Sequence, residues 1–235
     1  GTEANLLALS AARAHTARTD IMVVDGSYHG GVLSFAGENP LNAPFPTHRI
    51  PFNNLDGAVG KINKVGSGLA AVIIEPMIGA GGCIPADAGF LEGLREATKK
   101  TGALLIFDEV MTSRHGPGGL HGMFDIRPDL VTLGKYVGGG LSFGAFGGRA
   151  DILERFDPSR PDAWPHAGTF NNNMLSMTAG YTGLSKVFTA EIAQTFFKQG
   201  ERFRHRLETS ACSLNLPIQV TGMGSMMALH FGNEK

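Results

Sequence analysis

ALLIFDEVMTSRHGPGGLHGMFDIRPDLVTLGKYVGGGLSFGAFGGR, residues 103–149, decides how this chain is read. It begins with an apolar run, Ala103 to Phe107, that stops at two carboxylates, Asp108 and Glu109. Bounded by Gly102 on one side and by charge on the other, such a run predicts a strand buried on both faces. A second run, Asp129 to Leu133, predicts another strand; it ends at Gly134 and Lys135, and Gly138, Gly139 and Gly140 follow closely. An acid and an amine are thereby delivered to loops at the carboxyl ends of two buried strands. In open α/β sheets that edge is where ligands bind.

The pairing suits pyridoxal phosphate, which requires a lysine for its aldehyde and an acid for its pyridine nitrogen. A carboxylate keeps such a nitrogen protonated, because a nearby opposite charge raises a basic group's pKa by ~1–3 units. The residues alone leave other readings open. An acid after an apolar strand is also a common structural end, and most lysines are solvated surface. An apolar run ending in Asp-Glu also occurs on the magnesium-binding strand of P-loop ATPases. That reading needs a G-x-x-x-x-G-K-[ST] loop, and Gly134-Lys135-Tyr136 has neither the loop nor the hydroxyl.

Around this stretch, 235 residues suggest one large domain or one and a half, enough for a buried core. A net charge of −1 favours neither nucleic acid nor an anionic membrane. No stretch approaches the ~18 apolar residues of a membrane span. Glu3 stands at the amino end without a basic-then-apolar pattern, so no signal peptide is read there. Cys83 and Cys212 have neither a disulfide framework nor metal spacing, so a reducing, cytoplasmic setting is expected. Glycine is the outlier: 33 residues, about twice the usual ~7% share, cluster where backbone would approach a ligand closely.

In chain order, Leu6, Leu7, Leu9 and Ala14 predict a buried helix with Thr2 as N-cap, and helix N-termini hold phosphate through free N–H groups. Ile21 to Val24 reads as a strand followed by the loop Tyr28-His29-Gly30-Gly31, and Arg49 to Phe52 as a short edge segment. Asn54 to Lys64 reads as an amphipathic helix. Leu69 to Ile74 is a buried strand that ends in Glu75-Pro76, another acid at a carboxyl end. Asp87 to Lys100 is a helix closed by Gly102. Strand, helix, strand in this succession is the parallel doubly wound pattern. His115 and His121 are read as loop histidines without spaced metal partners. Ile152 to Phe156 and Met174 to Val187 read as helices. Thr189 to Ser213 follows as a long amphipathic helix with Glu201, Arg202, Arg204 and Arg206 on its solvated face. Ile218 to Thr221 and Met226 to Phe231 form a hairpin.

The segments Phe107-Asp108-Glu109-Val110-Met111-Thr112, Thr132-Leu133-Gly134-Lys135, Gly138-Gly139-Gly140-Leu141 and Gly144-Ala145-Phe146-Gly147-Gly148 together resemble class III aminotransferases of fold type I. The resemblance covers essentially the whole chain. Within the class it is strongest to the branch holding glutamate-1-semialdehyde aminomutase and the β-amino acid transaminases. It implies an α/β fold: a three-layer α/β/α large domain with a mostly parallel sheet over residues 1–188, its N-terminal part missing. Residues 189–235 would then begin a small α+β C-terminal domain.

The resemblance also implies pyridoxal 5'-phosphate as cofactor, with Lys135 joined to its aldehyde and Asp108 at its ring nitrogen. Gly1 and Thr2 would hold the phosphate, Tyr28 would cover one ring face, and Val110 would pack under the other. His29 and Glu75 would stand behind these contacts. Met111 replaces a glutamine common in the class, which removes a hydrogen bond to the phenolic oxygen. Thr169 would reach the phosphate of a neighbouring subunit, implying a homodimer with shared active sites. Ala80 departs from the glutamate of ornithine- and γ-aminobutyrate-type members. Thr169-Phe170-Asn171-Asn172-Asn173 and Ser142-Phe143 lie closer to the β-transaminases. The expected reaction moves an amino group between a β-phenylalanine-like β-amino acid and a 2-oxo acid. Glutamate-1-semialdehyde isomerisation and a non-catalytic homologue are the alternatives.

Overall fold

The computed structural model describes residues 1–232. The first half runs α1 (Thr2–Thr16), β1 (Asp20–Val24), β2 (Thr47–Ile50), α2 (Leu55–Val65), β3 (Leu69–Ile74), β4 (Met77–Ile78), β5 (Ile84–Pro85), α3 (Ala88–Thr101) and β6 (Leu104–Asp108). It continues with α4 (Gly119–Met123), β7 (Leu130–Gly134), β8 (Gly144–Gly148), α5 (Ala150–Leu153), α6 (Met174–Thr182), α7 (Ala190–Ser213), β9 (Ile218–Met223) and β10 (Met226–Phe231).

Six strands form one sheet in the order β2-β1-β3-β6-β7-β8. The pairs from β2 to β7 are parallel and β8 is antiparallel to β7. Because strand side chains alternate, the apolar runs feed two cores rather than one. Met22, Val72, Ile74, Leu105 and Phe107 pack against Ala58 and Ile62 of α2 and Phe90, Leu91 and Leu94 of α3. Ile21, Val23, Ile73, Ile106 and Leu130 face the other way, onto Ala8, Leu9 and Ala12 of α1 and Ile152 of α5. Each fully buried Leu, Ile or Phe contributes about 1.5–3 kcal/mol, so a continuous apolar run is what a central strand with both faces covered requires. The result is the expected three-layer α/β/α arrangement.

Helix ends follow their local chemistry. Asn54 caps α2 by accepting from Gly57 N at 2.9 Å, and α3 stops at Gly102, whose φ of 73° is left-handed. Four expectations are corrected. Gly1, not Thr2, is the N-cap of α1, and no side chain bonds there; the Thr2 side chain is instead packed onto Cα of Gly30. Met174 to Val187 is not one α-helix: α6 ends at Thr182 and the next turn, Gly183–Val187, widens to π geometry. Glu201 and Arg204 are half-buried rather than solvated. Arg204 is ion-paired to Glu201 and Glu208, and Glu201 accepts the backbone N–H of Gly224, tying α7 to the turn between β9 and β10. The edge segment is also placed slightly earlier, as β2. No described helix is long and apolar enough to cross a membrane.

Candidate active site

The chain leaves β1 toward β2 on one side of the sheet and returns to β3 on the other, so the strand order reverses between β1 and β3. Such a switch point opens a crevice at the carboxyl ends of the strands. A cavity of about 250 Å³ lies there, lined by residues that follow four strands: Tyr28 and His29 after β1, Glu75 after β3, Asp108 at the end of β6 and Lys135 after β7. The first turn of α1 closes it with Gly1, Thr2 and Asn5, and Val110, Met111, Gly79 and Ala80 complete the walls.

Asp108 is the floor. It is buried, and three donors hold its two oxygens. Oδ2 accepts from His29 Nδ1 at 2.8 Å and from Asn5 Nδ2 at 2.7 Å; Oδ1 accepts from Val110 N at 3.1 Å. The Thr132 hydroxyl has one proton and gives it to Asn5 Oδ1 at 2.6 Å, although it also stands 3.3 Å from Asp108 Oδ1. Asn5 Nδ2 donates in addition to the carbonyl of His29 at 2.8 Å. Burial by itself pushes the Asp108 carboxyl up. The hydrogen bond and charge of His29, with the bonds from Val110 and Asn5, outweigh it and hold the group below the usual carboxylate range. Asp108 therefore stands as a buried anion whose donors come from α1, the loop after β1 and the backbone just past β6.

Glu75 behaves oppositely. It accepts from Tyr28 N at 2.9 Å and Gly79 N at 3.3 Å, yet burial pushes its carboxyl above the usual range. It holds two loops against the cavity. Lys135 opens a 3-10 turn with φ 50°, a left-handed conformation that a side-chain-bearing residue adopts at a cost of ~1–3 kcal/mol. The same turn leads to Gly139, with φ 61°, whose Cα lies against the carbonyl of Ala179 in α6; no side chain fits between them. Gly30 is required for a similar reason: its φ is 133° and the Thr2 side chain fills the place of a Cβ.

The model of the class-III aminotransferases matches residues 1–235. The chain belongs to that family. Over 98% of its length this aminotransferase chain is 51% identical to the β-phenylalanine transaminase of Variovorax paradoxus, covering 53% of that protein. It is 40% identical to a glutamate-1-semialdehyde 2,1-aminomutase of Anoxybacillus flavithermus, over all of this chain and 58% of the relative. The crystal structure of the β-phenylalanine aminotransferase from Variovorax paradoxus superposes with a TM-score of 0.96, covering 98% of this chain and 54% of the other. The chain spans about half the length of the curated relatives it matches. Fold type I, a mostly parallel sheet with helices on both faces, is the fold of these relatives and of this chain.

The donor set of the aminotransferase cavity fits pyridoxal phosphate. A buried anion at the floor suits a protonated ring nitrogen, a primary amine suits the aldehyde, and the free N–H groups in the first turn of α1 suit a phosphate dianion. Val110 and Tyr28 supply the apolar and aromatic surfaces that a flat ring needs. Of the residues singled out in the sequence, Gly1, Thr2, Tyr28, His29, Glu75, Asp108, Val110, Met111 and Lys135 line this one cavity. Thr169 does not: it is exposed on the loop before α6 and is not among the residues that line this cavity. Glu109, adjacent to Asp108, faces away from the cavity. Asn5 and Thr132 were missed by sequence reasoning. Their signal was a polar residue among the buried positions of an apolar helix and one inside an apolar strand, where an unpaired polar group would be costly.

Proposed function

We propose that this chain carries the cofactor-binding part of a pyridoxal-phosphate-dependent transaminase that moves an amino group between an aromatic β-amino acid and a 2-oxo acid. The observation that carries this reading is the 51% identity to a β-phenylalanine transaminase over nearly the whole chain. Glutamate-1-semialdehyde isomerisation is the second reading, favoured by the 40% identity to aminomutases.

Bound in this cavity, pyridoxal phosphate supplies a ring that accepts the electron pair released when the C–H bond beside the amine breaks. Asp108 keeps a positive ring nitrogen paired, and Asn5 and His29 keep Asp108 ionised and aimed. Lys135 would hold the aldehyde through Nζ, and as a free amine it would serve as the base that takes the proton from that carbon and returns it. Gly1 and Thr2 would offer N–H groups to the phosphate and Tyr28 and Val110 would face the ring, while Glu75 orders the Tyr28 and Gly79 loops and Met111 bounds the site with no hydrogen-bonding group. Residues 1–188 form the large domain in this reading, and residues 189–235 begin a smaller one; residues 233–235 lie outside those described.

A homodimer with shared sites is part of the same proposal. Phe170, beside Thr169 on its loop, and Met174 are each 80% exposed, and Tyr181 of the following helix α6 is 72% exposed. Single exposed apolar residues are ordinary, but a contiguous patch suits burial against a second copy. Free Cys83 and Cys212 support a reducing, cytoplasmic setting.

The test offers β-phenylalanine with 2-oxoglutarate, and separately glutamate-1-semialdehyde, to the cofactor-loaded protein. Turnover of the first pair and loss of both turnover and the lysine-bound cofactor's visible absorbance band in Lys135→Ala are expected. Turnover of the semialdehyde alone reverses the order of the two readings, and a band that survives Lys135→Ala removes Lys135. Thr169→Val should weaken pyridoxal phosphate binding and, by light scattering, the cofactor-dependent gain in dimer, since a ligand held by two chains stabilises their association. A monomer with full cofactor affinity would remove the shared site.

A further inference from the structure

One wall of the cavity is held from outside the large layer. Gly79 to Cys83 is the turn of the small hairpin formed by β4 and β5, closed by Gly82 N and Cys83 N donating to Gly79 O at 3.1 and 3.3 Å. Its near end, Gly79 and Ala80, lines the cavity. There Gly79 N donates to Glu75, and its Cα lies so close to the Met111 thioether that a Cβ would stand 2.7 Å from the sulfur. Its far end is gripped by the C-terminal hairpin. The carbonyl of Gly82 accepts from the Thr221 hydroxyl, and His230 Nε2 stands 3.3 Å from the same oxygen and 2.8 Å from Thr221 Oγ1.

The geometry assigns the protons. A hydroxyl that donates to Gly82 can only accept from His230, so Nε2 carries the hydrogen in this chain of bonds. Thr221 and His230 reach the turn together because they are diagonal neighbours on one face of the β9–β10 ladder, which pairs Thr221 with Ala228 and Gln219 with His230. The imidazole lies directly on Gly82, where a Cβ would be 2.5 Å from its Cε1, and Gly82 has φ 105°. The turn is therefore a short rigid bridge with the cavity at one end and the Thr221–His230 pair at the other.

We propose that Thr221 and His230 are positioning residues that set the Ala80–Met111 wall, and through it the fit of the amino donor. This inference rests on the transaminase reading of the cavity. Asp108 and Lys135 belong to other walls and do not depend on the clamp. Loosening the turn should weaken capture of the amino donor while leaving the cofactor's attachment intact.

The experiment compares Thr221→Val, which is isosteric but lacks the hydroxyl, with Thr221→Ser, which keeps it, and His230→Phe with His230→Gln, which keeps a donor at the same reach. In the cofactor-loaded enzyme, Thr221→Val and His230→Phe should raise KM for β-phenylalanine about three- to tenfold with kcat within about twofold, as expected when one hydrogen bond used for binding is lost. Thr221→Ser and His230→Gln should restore KM, and pyridoxal phosphate affinity should stay unchanged throughout. Hydrogen exchange without substrate gives an independent readout: the Gly82 and Cys83 amides should exchange faster in Thr221→Val while those of β6 and β7 do not. If β-phenylalanine is not turned over by the parent protein, the substrate reading fails and the exchange readout alone judges the clamp. Unchanged exchange, a fall in kcat at constant KM, or a serine variant as impaired as the valine one would each overturn the proposal.

Discussion

Asp108 and Glu109 are neighbours at the end of one strand, both buried, and they organise two different regions. Apart from Val110 N, the donors of Asp108 are distant in sequence, Asn5 and His29, with Thr132 holding Asn5 in turn. Those of Glu109 are local. Its oxygens accept from Thr112 Oγ1, Leu120 N, His121 N and His121 Nδ1, each at 2.8 Å, and Gly119 packs directly on the carboxylate. Successive side chains of a strand point to opposite sides, so one acid enters the cavity and the other enters the loop 112–121. The acid held by Asn5, His29 and a backbone N–H still borders the cavity; the one wrapped by its own loop does not. The difference separates a chemical carboxylate from a structural one where the sequence shows only Asp-Glu.

The comparison predicts opposite phenotypes for near-identical changes. Asp108→Asn removes the charge paired with the ring nitrogen, a change of ~1–3 pK units, or about 1.4–4 kcal/mol. Turnover should fall roughly ten- to a thousandfold, measured as kcat with saturating cofactor. Retention of full kcat would break the distinction.

The Glu109 region also contains His115, read from the sequence as a loop histidine and found at the end of a short turn. It is buried edge-on against Phe197 of α7, and both its ring nitrogens lack partners. Burial, with the Arg114 charge adding to it and Glu109 and Glu201 opposing it, lowers its pKa to about 4 from the ordinary 6.5. The unfolded chain takes up this proton below pH ~6.5 and the folded chain only near 4, so stability falls as pH drops through that window. The full effect is about 3 kcal/mol. Thermal melts between pH 7 and pH 4 should show a steep loss that His115→Phe flattens; an equally steep curve in the variant would place the loss elsewhere.

Glu109→Gln is the mildest of the three. It keeps the shape but weakens hydrogen bonds to a charged acceptor, costing about 1–3 kcal/mol of stability. In a denaturant titration its midpoint should drop, whereas kcat of the folded enzyme should stay within a few-fold of the parent. A loss of kcat matching that of Asp108→Asn would merge the two regions into one.

Much of this was legible in the chain itself. The apolar runs at 21–24, 69–74 and 104–107, short and bounded by glycine or charge, read as strands covered on both faces. The glycines at 138–140 and the turn residue Gly102 marked where backbone must turn or approach closely. Asp108, Lys135 and Glu75 were found because an acid or amine that ends a buried strand stands out against it. What the sequence could not display is partnership across space. That Asn5 bonds Asp108, that Thr132 bonds Asn5, that Thr2 packs on Gly30 instead of capping its helix, and that His115 is buried beneath α7 all follow from elements distant in the chain meeting at one edge. Local propensity determined the strands, helices and turns, since it acts over a few residues. The ionisation of Asp108, the opposite shift of Glu75 and the separate fate of Glu109 depend on burial and on donors brought from elsewhere, and only the tertiary structure decides those.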